Sequence, residues 1–191
     1  MGLSRSVALT FAGLAARGQG QYAEARSLHE ESAAVSHAAG NRGFDAVVLG
    51  ALAHTVYLDE EYAQASTLAE QSLAIVTAGQ RGGRGSVDAS IPPYVLGRVA
   101  LCVEDYAAAR RHLEETVALW RATGDLRCAP GALVGLGCVS LAEGDQERGC
   151  QLMAEALAFC DDPGWRVALL YGLEGVAILG AAQAQAQQAL L

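Results

Sequence analysis

The 191-residue sequence predicts an all-α protein, a superhelical solenoid of antiparallel helix pairs, and three observations carry that prediction. First, the chain writes nearly one phrase four times: "GQGQYAEARSLHEES" from Gly18, then "DEEYAQASTLAEQS", "VEDYAAARRHLEET" and "EGDQERGCQLMAEA". Second, small residues recur at fixed distances from one anchor in each phrase. Third, the apolar content is Ala, Leu and Val with only 6% aromatic residues, which suits closely packed helices better than a β-sandwich.

The anchors are Tyr22, Tyr62, Tyr106 and Gln146, spaced 40, 44 and 40 residues apart. Three residues past each stands a small one: Ala25, Ala65, Ala109, Gly149. Ten past stand Ser32, Ser72, Thr116 and Ala156, and nine before stand Gly13, Ala53, Gly97 and Gly137. Small residues at fixed places on two successive helices let the axes approach, and larger neighbours three and four positions away fill the gaps. A single helix pair cannot bury its apolar face alone, so such pairs stack.

The elements follow in order within one repeat domain, 1–191. Repeat one spans about 4–42, with "RGQGQ" as the turn between its helices; repeat two spans 43–83 and turns at "LDEE". The linker "GQRGGRGSVDASIPP" is Gly-rich and is expected to be a flexible joint or a contact loop. Its Pro92 and Pro93 fit the first turn of the next helix. Repeat three spans 91–127 with the turn "CVED", and repeat four spans 130–163 with "AEGDQ". There Gly149 and Cys150 are expected to weaken the second helix. A partial copy over 165–191 supplies a ninth helix. Its apolar face is expected to meet a second copy of the chain, giving a homodimer through the C-terminal helix, or a further helix of a longer parent.

The pattern resembles the tetratricopeptide repeat (TPR). The features that match are the Leu-Gly pair in "VLGRVA" and "GLGCVS", the Tyr after the turn, and the small residue three beyond it. The resemblance implies a right-handed superhelix and a non-enzymatic module for protein–protein interaction or regulatory sensing. The unit is longer than the standard 34 residues. In this it is similar to the arrays of bacterial LuxR-like, signal-transduction ATPase regulators, which implies a fragment or relative of a transcriptional regulator. The phosphate-binding GxxxxGK[ST] loop and helix-turn-helix of those proteins are not in this sequence. In TPR arrays the first helix of each pair lines the concave face. Carried over, that register makes Arg17, His54, Tyr57, Tyr94 and Arg98 a strip suited to a peptide or a carboxylate. Arg donates in a fork and Tyr adds rigid contact area. The alternative occupant is a small-molecule effector in the same groove.

Other chemistry finds no pattern here. The net charge of −8 opposes direct nucleic-acid binding and a polybasic membrane anchor, although all 13 cations are Arg. The five Cys are widely spaced without a CxxC, and His29, His37, His54 and His112 form no His-Cys-Asp spacing that suits a metal or a nucleophile, so neither a metal nor a cofactor is expected. Cys138 and Cys150 are expected at helix contacts as small hydrophobes. "GGRG" lacks the lysine and strand of a phosphate loop. No nucleophile is paired with a base. The apolar run near the N-terminus continues into the first repeat and is expected to be structural, and no uncharged stretch reaches membrane-spanning length, so the expectation is a cytoplasmic bacterial protein.

Overall fold

The computed structural model describes residues 2–81 and 89–161. Within them are eight α-helices: α1 (Gly2–Gly18), α2 (Tyr22–Ala38), α3 (Arg42–Leu58), α4 (Tyr62–Arg81), α5 (Ile91–Cys102), α6 (Tyr106–Thr123), α7 (Ala129–Ala142) and α8 (Gln146–Leu157). A 3₁₀ turn, Ala158–Asp161, follows. Helices α1 and α2, α3 and α4, and α7 and α8 pack as consecutive antiparallel pairs. The helix expected over 165–191 and most of the Gly-rich linker lie outside the described residues. The chain divides into two compact units, Met1–Val99 and Ala100 onward, with the division inside α5.

Each anchor begins the second helix of its pair, because the two residues before it reverse the chain. The residue two before the anchor takes a left-handed conformation in all four copies: Gly20 (φ 76°), Glu60 (φ 63°), Glu104 (φ 61°) and Gly144 (φ 86°). Glycine adopts that shape freely, whereas a glutamate's Cβ crowds the neighbouring carbonyl. The new helices then need their first N–H groups satisfied. Asp105 accepts from Ala108 N at 3.0 Å, Asp145 from Arg148 N at 3.0 Å, and Asn41 from Phe44 N at 3.1 Å.

The register of small residues marks the helix crossings. Ala25, Ala65 and Ala109 are wholly buried, as are Ser32, Ser72, Thr116 and Ala156. In the first two pairs the serine hydroxyls are satisfied across the crossing: Ser72 donates to the Ala46 carbonyl at 2.7 Å, and Ser6, Thr10 and Ser32 bond one another at 2.8–2.9 Å. In repeat four the backbones themselves meet. A Cβ on Gly149 would stand 3.2 Å from the Gly137 carbonyl oxygen, so this glycine serves close packing rather than weakening the helix. Cys138 is buried as expected, but Cys150 is exposed, because it sits one residue round from the crossing at Gly149.

One polar contact also repeats. Arg26, four past Tyr22, reaches Glu30 at 3.0 Å on its own helix and Glu61 at 2.7 Å in the turn of the next repeat. Arg110, four past Tyr106, likewise reaches Glu114 at 3.8 Å and Glu143 in the following turn. The same place holds Ser66 in repeat two and Cys150 in repeat four.

Candidate functional site

The five residues singled out by register all lie in the first compact unit, on three helices: Arg17 at the end of α1, His54 and Tyr57 on α3, Tyr94 and Arg98 on α5. Four of them touch. Arg98 Nε donates to the Tyr57 hydroxyl at 3.2 Å, and its guanidinium carbon stands 5.7 Å from the centre of that ring, within cation–π range. The His54 ring meets Tyr94 edge-on at 5.4 Å and lies 6.3 Å from Tyr57. Arg17 joins the group electrostatically, acting on His54 and on His29.

The positions follow from helix geometry. His54 and Tyr57 are three apart, and Tyr94 and Arg98 four apart, so each pair shares a helix face. The tyrosines are nearly closed off, at 8% and 9% exposure, so they form a floor rather than a rim. Arg17, His54 and Arg98 are half-buried and carry the accessible polar groups.

Charge within this cluster is one-sided. His54 is held well below the usual histidine range, first by burial and then by repulsion from Arg17, Arg98 and His29. It is therefore neutral at neutral pH, and the two guanidiniums supply the positive field. Two residues outside the expected strip belong to its surroundings. Tyr62, the anchor of repeat two, tilts against Tyr57 at 6.0 Å. His29, fully buried and within the field of Arg17, places Nδ1 3.1 Å from Thr55 Oγ1, while Nε2 has no hydrogen-bond partner among the described residues. Its ring fills the space that a side chain on Gly13 would need: a Cβ there would lie 2.5 Å from Nε2. The register gives the signal for His29. Seven past the anchor, repeats two and three place buried Ala69 and Leu113, so a histidine there is a core substitution.

The cluster contains no nucleophile beside a base. Among the described residues no three His, Cys, Asp or Glu side chains come together to hold a metal. No described helix is long and apolar enough to cross a membrane.

Residues 4–78 match the tetratricopeptide repeat. That stretch takes in most of repeats one and two, and with them Arg17, His54 and Tyr57. The solved TPR-like repeats of a Podosopora anserina kinesin light chain are similar in fold along most of the chain. The TM-score is 0.63 at 19% identity, over 98% of this chain and 91% of that one. A single-substitution variant of those repeats gives 0.64 at 18% identity, over 98% and 99%. No curated relative matches the chain. TPR scaffolds are typically non-catalytic and bind protein or peptide partners, and no enzyme family is detected for this chain.

Proposed function

We infer that this chain is a protein-interaction module that takes an anionic peptide segment, such as a C-terminal carboxylate, along the strip of Arg17, His54, Tyr57, Tyr94 and Arg98. The observation that carries this reading is Arg98 held over the Tyr57 ring beside a neutral histidine that also feels Arg17, in a chain of net charge −8. Tyr57 holds Arg98 in place, so less side-chain freedom is lost when a carboxylate arrives. A carboxylate beside Arg98 would gain a charge-assisted, forked pair.

The biological setting we favour is regulatory sensing in the bacterial cytoplasm, as part of a larger transcriptional regulator of the signal-transduction ATPase class. The roughly forty-residue unit supports that setting.

The test is fluorescence anisotropy with a panel of peptides carrying acidic residues and a free C-terminus, against the same peptides amidated and against small dicarboxylic acids. Arg98→Ala should weaken peptide binding by roughly 1.5–3 kcal/mol, while Arg111→Ala on the exposed face of α6 should leave it unchanged. Equal affinity for both variants would remove the reading, and preference for the small acids would make the strip an effector site.

A further inference from the structure

The first compact unit also holds a groove apart from the strip. It lies between α2 and α4 with α3 beneath and has a volume of about 640 Å³. Its walls are Ala33 and Ala34 on one side and Ala74 and Ile75 on the other, and its floor is Leu49 and Asp45. Ala34 and Ala74 are exposed, so a partner's backbone can approach closely between them.

Carboxylates mark both ends of this groove. At one end Asp45 receives the Ser36 hydroxyl and stands 3.8 Å from His37, which fixes its orientation while 12% of its side chain stays open. Toward the other end Glu30 precedes Ala34 by four residues, and Glu70 precedes Ala74 by four, so each lies one turn back on its wall's face. Both are exposed; Glu30 is paired with Arg26 at 3.0 Å, whereas Glu70 has no ion-pair partner among the described residues. No arginine lines the groove. From Glu30 to His37, beside Asp45, is about 10 Å along the helix.

In the second compact unit a groove between α6 and α8, with α7 beneath, measures about 560 Å³ and is of mixed charge, lined by Arg110, Arg121 and Arg148 together with Glu114, which pairs with Arg110. Ala118 takes the place of Ala34, and Arg121 that of His37.

We propose that the α2–α4 groove docks a basic amphipathic helix of a partner protein. Its small apolar face lies between Ala34 and Ala74, and cations two turns apart meet Asp45 at one end and Glu70 at the other. Lysine and arginine suit this arrangement because their aliphatic stems can cover Leu49 and Ile75 while the charged heads reach the carboxylates. The acidic chain draws such a helix in. This site is separate from the cationic strip and does not depend on it.

The probe is a labelled alanine–leucine helical peptide with arginines two turns apart, titrated against the full chain by anisotropy. The control peptide carries glutamate in place of arginine. Only the arginine peptide should bind, and its affinity should fall with added salt. Glu70→Lys should weaken it about tenfold or more, and Ala34→Arg should block it. Both positions are exposed, and circular dichroism checks that the variants keep their helices. Arg111→Ala, on the exposed face of α6, should leave the arginine peptide's affinity unchanged. The proposal is overturned if the two peptides bind alike, if the arginine peptide does not bind, or if Glu70→Lys and Ala34→Arg bind it as the unaltered chain does.

Discussion

Lowering the pH should destabilise the first compact unit through one buried ring. His29 has no exposed surface, and burial, reinforced by Arg17, lowers its pKa from 6.5 to about 4; the Thr10 carbonyl opposes this more weakly. The sign follows from which state binds the proton first. As pH falls through 6.5 the unfolded chain protonates its histidine while the folded chain does not, so stability is lost from there down to about pH 4 and no further below. The loss approaches about 1.4 kcal/mol per pH unit and totals roughly 3.4 kcal/mol across the window. Between pH 7.5 and 5 it amounts to about 2 kcal/mol. His54 acts in the same direction, so the contribution of His29 must be read as a difference between proteins. The assay is urea unfolding by circular dichroism at the two pH values, for the unaltered chain and for His29→Gln. The variant should lose about 2 kcal/mol less than the unaltered chain on acidification. An equal loss in both would refute the account, as would a histidine NMR titration showing His29 protonating near 6.5.

Two further outcomes concern the fold. Glu104→Gly should raise stability by about 0.5–1 kcal/mol, since it relieves a left-handed glutamate at some entropic cost; thermal unfolding that moves down instead would contradict the turn geometry. Ala109→Leu should cost about 1–3 kcal/mol by overpacking a fully buried crossing, and full retention of the melting temperature would show that the register is wrong.

The helix pairs were legible because packing constrains volume at each crossing. A residue such as Ala65 or Gly137 cannot grow without moving an entire helix, so its size repeats where its identity does not. The strip was legible for a related reason: residues three or four apart on the first helix of each pair must share a face, which brought His54, Tyr57, Tyr94 and Arg98 together. Exposure was less readable. The register placed Tyr57 and Tyr94 on an inner surface, yet neighbouring rings and Arg98 cover them, and those contacts come from separate helices rather than from either local pattern. His29 was missed because a lone histidine among polar neighbours looks solvated in "RSLHEES". Only comparison with Ala69 and Leu113 shows that its position belongs to the core. The α2–α4 groove was hidden because its walls are alanines, which the sequence uses everywhere.

The arginines at positions 26 and 110 set rules for cutting and splicing this chain. Each is rooted in the second helix of one repeat and holds the turn of the next, so a boundary drawn after repeat one or after repeat three strands a guanidinium from its distant carboxylate. At the corresponding place in repeat two, Ser66 carries no charge to strand. A boundary after repeat two strands no such charge, but it parts Tyr94 and Arg98 from His54 and Tyr57, so each of the three junctions carries a contact that a graft must replace.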